Sequence, residues 1–191
     1  SEIKELYRSS INKLAFFFIP ATVFLIFMAE PLIVTLFTET YSDSVPIFMI
    51  YLILLPTYAL NLRWILMASG QTNFLLKLAV SMSVINVILS YGFLMTLEGD
   101  NRLLGIPFST VLVTWLATFI VMNRSLATLG SSVLETYPLK EMWILTAISL
   151  VAALPVILVS SLGLSNIVTL IISGVLFKIV FLTLSYKLKL I

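Results

Sequence analysis

Residues 142–162 read Met-Trp-Ile-Leu-Thr-Ala-Ile-Ser-Leu-Val-Ala-Ala-Leu-Pro-Val-Ile-Leu-Val-Ser-Ser-Leu, a run of 21 positions without a charged side chain. A helix needs about 20 consecutive apolar residues to cross the hydrocarbon core of a bilayer. Five further segments of the chain meet or approach that length. The six predicted spans are Leu14–Phe37, Val45–Met67, Phe74–Leu97, Leu103–Met122, Met142–Leu162 and Ile167–Tyr186. The sequence therefore predicts an all-α, polytopic membrane helical bundle with six transmembrane helices.

The composition of the 191 residues agrees with this prediction and excludes several classes of function. Hydrophobic residues make up 60% and charged residues 10%, with a mean hydropathy of +1.13, whereas soluble domains are about 45–50% apolar and about 25% charged. A net charge of +2 is too small for a nucleic-acid footprint. Cys and His are both absent, which removes thiol nucleophiles, the commonest general base and the commonest metal ligand. We therefore predict that membrane lipid is a partner of this chain. We predict no enzymatic activity, no catalytic residue, no metal and no cofactor.

The basic residues orient the predicted spans. Eight of them fall at span ends that lie on the same side of the membrane if successive spans run in opposite directions. They are Lys4, Arg8, Lys13, Lys77, Arg124, Lys140, Lys187 and Lys189. Arg102 lies in a connection on the other side. Because basic residues concentrate in cytoplasmic connections, we predict a multi-pass protein of the cytoplasmic membrane, with both termini of this segment in the cytoplasm.

Two connections allow further interpretation. Residues 1–13 have an apolar helical face, which is typical of an interfacial helix but equally of a cytoplasmic extension of the first span. The longest connection, Asn123–Glu141, contains Gly130 and Pro138. We interpret residues 126–141 as a cytoplasmic surface linker between a unit of four helices, residues 1–125, and an additional transmembrane pair, residues 142–191.

Two cationic side chains lie within the predicted spans, where a charge is unfavourable and needs a partner or a route to water. Arg63 follows Asn61 in the stretch Tyr58-Ala-Leu-Asn-Leu-Arg-Trp64. It either faces a central cavity and pairs with an anionic substrate, since its planar fork suits phosphate oxygens, or reaches the inner headgroups. Lys178 allows the same two interpretations at greater depth. Asn61, Arg63 and Lys178 are thus candidate residues of a substrate path.

Two other polar residues of the spans are candidates. Glu30, which precedes Pro31, either couples proton or sodium movement to transport or marks the outer end of the first helix. Asn86 forms a polar stripe with Ser83 and Ser90, typical of interhelical hydrogen bonds and less often of a polar cavity wall. Pro20 and Pro56 lie within spans, and we predict that each kinks its helix.

An ordered set of stretches resembles a known family. The set comprises residues 6–22, Ala29-Glu-Pro-Leu-Ile-Val-Thr-Leu-Phe37, Tyr51-Leu-Ile-Leu-Leu-Pro56, Leu66-Met-Ala-Ser-Gly-Gln-Thr72 and Gly105-Ile-Pro-Phe-Ser-Thr110. These stretches are similar to polysaccharide-biosynthesis exporters, the Wzx-type oligosaccharide flippases of the multidrug/oligosaccharidyl-lipid/polysaccharide exporter superfamily. The resemblance covers about residues 1–125 well and the last two helices loosely.

The resemblance implies a transporter with two six-helix lobes that moves undecaprenyl-diphosphate-linked oligosaccharide to the outer leaflet by alternating access. Residues 1–125 would then be the last four helices of the second, carboxy-terminal lobe, and the amino-terminal lobe of the same protein would be a partner. The implied substrate is an anionic lipid-linked oligosaccharide for cell-surface polysaccharide. An alternative is a self-contained six-helix substrate-binding subunit of a small-molecule importer. A membrane glycosyltransferase is disfavoured, because no acidic pair lies at an interface.

Overall fold

The first apolar segment folds as two helices, α1 (Glu2–Phe27) and α2 (Ala29–Phe37). The computed structural model describes residues 2–190, apart from the side chains at positions 2, 3 and 100. The helix breaks at Met28 (φ −104°, ψ 11°), because the missing N–H of Pro31 leaves the Phe27 carbonyl without its helical donor. The predicted span Leu14–Phe37 is therefore wrong in its bounds, and the apolar helix long enough to cross a membrane is Lys4–Phe27.

The start of α1 decides between the two interpretations of residues 1–13. The helix is continuous from Glu2 through Phe27, and Ile11 is only 2% exposed within the core. The described part of this segment is therefore an extension of the first helix and not a separate interfacial helix. Pro20 lies inside the same uninterrupted helix, so it does not break α1 as Pro31 does.

The second apolar segment is broken twice, which corrects the prediction of one helix over Val45–Met67. A short 3-10 helix, Glu39–Ser44, leads into three consecutive helices, α3 (Val45–Leu52), α4 (Leu55–Leu60) and α5 (Arg63–Ala68). Pro56 occupies the first turn of α4, so the predicted disturbance at this proline is confirmed. The second break has no proline. Asn61 adopts an extended backbone there (φ −77°, ψ 108°).

The remaining four apolar segments form long helices, as predicted, whose ends differ from the predicted bounds by about one to seven residues. They are α6 (Thr72–Thr96), α7 (Gly105–Leu129), α9 (Leu139–Ser160) and α10 (Asn166–Lys187). The 3-10 turn Gly99–Leu104 precedes α7, and the short helix α8 (Val133–Thr136) follows it. Six helical stretches are long and apolar enough to cross a membrane. Over residues 2–190 the secondary structure is helical and contains no strand, which confirms the predicted fold class.

The helices pack as a row with α6 at one edge and α10 at the other. α7 lies between α6 and the broken helices α3–α5, and α1 lies between α4 and α9. One apolar core, which includes Ala15, Ala152 and Phe177, joins α1, α9 and α10. The other core surrounds the second break and joins Leu60, Leu62, Leu126 and Tyr137. α6 has no fully buried residue, so most of its surface is available to lipid or to another protein segment.

The basic residues gather at one end of the bundle, which we call the basic end and define by Lys4, Arg8, Arg124, Lys140 and Lys187. Two ion pairs link α1 to the segment after α7. Lys4 Nζ lies 3.3 Å from a carboxylate oxygen of Glu135, and a guanidinium nitrogen of Arg8 lies 3.5 Å from Glu141. At the opposite end, Arg102 donates to the Leu94 carbonyl (2.8 Å). The predicted clustering of basic residues on one side is thus present in the fold.

The connection between α7 and α9 is folded onto the bundle. α7 ends at Gly130, whose left-handed backbone (φ 58°) stops the helix. Ser132 and Glu135 then form a reciprocal capping box that starts α8. Thr136 and Tyr137 are 0% and 1% exposed. Side chains of this connection therefore form part of the core at the basic end.

Candidate functional site

A polar cleft lies between the broken helices α4 and α5 on one side and α6 and α7 on the other. Its volume is about 400 Å³. Three of the four substrate-path candidates, Asn61, Arg63 and Asn86, line it. Further polar side chains complete its walls, namely Thr57, Tyr58, Ser83, Thr114 and Thr118. The structure thus brings together residues that are 25 positions apart in sequence, since Asn61 lies in the break between α4 and α5 and Asn86 lies on α6.

The break at Asn61 places Arg63 in this cleft. The Asn61 side-chain oxygen accepts a hydrogen bond from the Arg63 backbone N–H (3.0 Å). A short polar side chain that bonds the backbone two residues later stabilises a turn in competition with a helix. α5 then begins at Arg63 itself, so the residue lies at the first helical position after the turn. The local sequence Asn-Leu-Arg therefore contributes to the break and places the cation directly after it.

Arg63 is the single charged side chain of the cleft. The residue is exposed, and the lining residues include no acid. Within the part of the chain that the structure describes, both ion pairs involve other cations. An arginine keeps its charge at all physiological pH values and binds phosphate or carboxylate oxygens through two parallel N–H donors. The cleft is therefore suited to an anion and unsuited to a free cation.

The depth of Arg63 follows from its neighbours. Ser125, which hydrogen bonds to the Leu62 carbonyl (3.1 Å), lies four residues before the end of α7. At 1.5 Å per residue, that position is about 6 Å from the basic end of the helix. Asn86 lies near the middle of α6. The cleft therefore extends from the basic end toward the middle of the bundle, with Arg63 near its basic end.

Asn86 forms a hydrogen-bonded cluster between α6 and α7. It accepts hydrogen bonds from Ser109 (3.0 Å) and Ser90 (3.3 Å) and donates to Thr110 (3.4 Å). Ser90 and Ser109 also share a hydrogen bond of 2.5 Å. The stripe on α6 thus makes interhelical hydrogen bonds, the commoner of the two interpretations. Asn86 lines the cleft as well, so the cluster also forms part of its wall.

The other two candidates lie elsewhere. Lys178 lines a separate cleft of about 330 Å³ between α1 and α10, whose walls include Phe16, Phe24 and Phe177. Glu30 lines a third cleft of about 440 Å³, toward the end opposite the basic end, with Asn166 and Thr169. The predicted set of residues is therefore divided among three sites, and neither Lys178 nor Glu30 lines the cleft of Arg63.

A fourth cleft, of about 480 Å³, is almost entirely apolar. It lies between α1, α4, α7 and α9, and its walls include Ile19, Trp115, Met142 and Trp143.

Among the described residues, no three His, Cys, Asp or Glu side chains come close enough together to hold a metal ion. Of these four clefts, the polar cleft is the one that combines a cationic side chain with several hydroxyl and amide groups.

Sequence reasoning missed Thr57, Tyr58 and the two donors Ser125 and Tyr137. Thr57 and Tyr58 lie one turn before Asn61, so they could be assigned to the cleft only if the position of the break were known. Hydropathy does not show that position. Ser125 and Tyr137 bond to carbonyls 63 and 77 residues earlier in the chain. A contact over that distance has no local signal in the sequence.

The fold and the cleft define a multi-pass membrane protein with a cation in a polar cleft. Comparison with known proteins then adds one finding: residues 1–46 match a family whose description is polysaccharide biosynthesis protein. The match covers α1, α2 and the first residues of α3 and supports a role in polysaccharide biosynthesis or export. No curated protein and no solved structure matches the chain. The stretches around Pro56, Gly70 and Gly105 that carry the rest of the resemblance lie outside the matched residues.

Proposed function

We propose that this chain is the carboxy-terminal portion of a Wzx-type flippase, which moves undecaprenyl-diphosphate-linked oligosaccharide across the cytoplasmic membrane by alternating access. The observation that carries the proposal is the cleft of Arg63: one cation, no acid and a wall of hydroxyl and amide groups. Its volume of about 400 Å³ falls within the range of small-ligand sites, about 300–1,000 Å³. A diphosphate with its first sugar is of that size, and the prenyl chain stays in lipid.

In this proposal each wall of the cleft has a separate role. The Arg63 guanidinium binds the diphosphate oxygens, which are the strongest acceptors of the substrate. Hydroxyl and amide groups on the facing helices, such as Thr118 and Asn86, bind the sugar. The amino-terminal lobe of the same protein covers the side of the cleft that α6 and α7 leave open. The match of residues 1–46 supports the pathway, and the geometry of residues 54–118 supports the anionic substrate.

The basic end faces the cytoplasm in this proposal. Arg63 lies near that end, so the cleft receives a substrate that is assembled at the inner leaflet. Both described ends of the chain, at α1 and after α10, lie on that side. Glu30 lies near the other end, where a carboxylate on the outer side is suited to couple the movement of a proton or sodium ion. Lys178, in a separate cleft, has a second anion-binding role in this proposal.

The test is a complementation experiment with the full-length protein. Arg63→Gln removes the charge and keeps a similar length, and we expect it to abolish surface polysaccharide while membrane abundance stays normal. Arg63→Lys keeps the charge without the bidentate fork and should retain part of the activity. Arg102→Gln is the matched control, since Arg102 lies at the opposite end of the bundle. Normal polysaccharide with Arg63→Gln would contradict the proposal.

A further inference from the structure

The two breaks in the second apolar segment free the carbonyls of Ile53 and Leu60. Side chains from α7 and from the connection after it bind these two carbonyls and that of Leu62, which also accepts from the Ile65 amide (3.1 Å). Trp115 donates its indole N–H to the Ile53 carbonyl (3.3 Å) at the first break. At the second break, the Tyr137 hydroxyl donates to Leu60 (3.0 Å) and the Ser125 hydroxyl to Leu62 (3.1 Å). Because a bilayer offers no water to replace a missing partner, these donors make the broken helix possible.

The Tyr137 hydroxyl replaces a donor of a continuous helix, whereas the Ser125 hydroxyl adds a second donor to a carbonyl that keeps a backbone partner. If residues 61 and 62 were helical, the carbonyl of Leu60 would accept from the amide of Trp64, four residues later. In the structure, the buried Tyr137 hydroxyl occupies this acceptor, and the Leu62 carbonyl accepts from both the Ile65 amide (3.1 Å) and the Ser125 hydroxyl (3.1 Å). Tyr137 and Ser125 are 1% and 0% exposed, so water does not compete for either bond. The hydroxyls thus favour the broken form over the continuous one.

Tyr137 is itself held in place by the connection that carries it. Lys4 Nζ contacts both the Glu135 carboxylate and the Gly130 carbonyl, each at 3.3 Å. The Ser132 backbone amide, the Ser131 hydroxyl and Lys4 lower the pKa of Glu135, so its carboxylate is charged at neutral pH. Burial raises the pKa of the Tyr137 phenol, so the phenol remains a donor. The connection therefore presents a fixed O–H group to the break.

We propose that Tyr137 and Ser125 are positioning residues for Arg63. By holding the carbonyls of Leu60 and Leu62, they keep the turn at Asn61 in place and fix α5 so that its first residue faces the cleft. Tyr137 belongs to the connection that leads into α9. A movement of α9 and α10 is therefore transmitted to Arg63 through the hydrogen bond between Tyr137 and the Leu60 carbonyl. The significance for transport rests on the proposed function. The effect on the position of Arg63 does not.

The test measures the electrostatic potential in the cleft and not transport. The described chain has no cysteine, and Ala79 lines the cleft opposite Arg63. In the full-length protein, with any cysteine outside residues 1–191 replaced, Ala79→Cys supplies a single thiol, whose reaction rates with an anionic and a cationic methanethiosulfonate reagent are compared. A nearby guanidinium raises the ratio of the anionic rate to the cationic rate. Arg63→Gln in this background should lower the ratio roughly fivefold. This decrease is the reference with which the effects of the other variants are compared.

Tyr137→Phe and Ser125→Ala should each lower the ratio by about twofold or more, because α5 then shifts and carries the cation away from the thiol. Two matched controls should leave the ratio unchanged. Tyr186→Phe changes a tyrosine that is 77% exposed, and Ser149→Ala removes a buried hydroxyl that bonds within its own helix, to Leu145. If Tyr137→Phe fails to reach the membrane, Ser125→Ala decides the outcome.

An unchanged ratio in both variants would overturn the positioning role. An unchanged ratio with Arg63→Gln would overturn the placement of the cation beside the thiol, and the positioning role with it. The outcome is separable from the proposed function. Normal surface polysaccharide with Arg63→Gln, together with a lower ratio in Tyr137→Phe, would refute the flippase role and leave the positioning role intact.

Discussion

Ser109 of α7 donates a hydrogen bond of 3.0 Å to the Asn86 side chain in the middle of α6. Asn86 accepts a second bond from Ser90 and donates a third to Thr110. Ser109 is fully buried, with 0% exposure. This cluster is the polar part of the contact between the two helices. Asn86 also lines the cleft, so the stability of the helix pair and the shape of the cleft both depend on this side chain.

Replacement of Asn86 should therefore destabilise the α6–α7 pair. Asn86→Ala removes three hydrogen bonds and leaves buried hydroxyls with fewer partners. Interhelical hydrogen bonds in membranes contribute about 0.6 kcal/mol each on average, so we expect the free energy of unfolding to fall by about 1–2 kcal/mol. Titration of the purified protein in mixed micelles with denaturing detergent measures it. Ser83→Ala is the control, because Ser83 is exposed and bonds to Ala79 of its own helix.

Gly105 allows a close approach of α7 to α6. A Cβ atom at this position would lie 2.5 Å from the Cβ of Phe93, on a helix that cannot yield locally. Gly105→Ala should force the two helices apart and cost about 1–3 kcal/mol of unfolding free energy, as overpacking does. Gly174→Ala provides the comparison, because its new Cβ would lie 3.7 Å from the Phe24 ring, an ordinary contact. Equal effects of the two substitutions would contradict this account.

The orientation that we propose for the bundle predicts which positions react from outside the cell. Lys140 and Tyr41 are exposed at opposite ends, and single-cysteine variants Lys140→Cys and Tyr41→Cys can be labelled in intact cells. An impermeant thiol reagent should label position 41 and leave position 140 unlabelled until the membrane is opened. The reverse pattern would place the basic end outside and would exclude entry of an inner-leaflet substrate beside Arg63.

Hydropathy was sufficient to predict the number of spans and the approximate bounds of the last four, and the positions of the basic residues were sufficient to predict their shared end. Each of these properties depends on composition along a window of residues, which the sequence shows directly. The kink at Pro56 was predictable for a similar reason, since the missing N–H is a property of that residue alone. The break at Met28 was not recognised, although Pro31 causes it, because the surrounding residues remain apolar on both sides.

The site was predictable only in part. Arg63 and Asn61 could be found because a cation and an amide are unusual within a span. Their juxtaposition with Asn86, and the separation of Lys178 and Glu30 into other clefts, depends on which helices are neighbours. Hydropathy contains little information on this point, because α6 and α10 are similarly apolar on several faces. The break at Asn61 was also hidden, since its donors Ser125 and Tyr137 come from a segment more than 60 residues away.

The most direct test of the central claim, that the cleft of Arg63 holds a lipid-linked diphosphate, is site-specific photocrosslinking in cells that synthesise the polysaccharide. A photoreactive amino acid is placed at Ala79, in the cleft, or at Val175, which is 54% exposed on α10 outside the clefts. Our account predicts that the lipid-linked oligosaccharide is captured at position 79 and not at position 175, and that Arg63→Gln abolishes the capture. Equal capture at both positions, or capture that does not depend on Arg63, would contradict it.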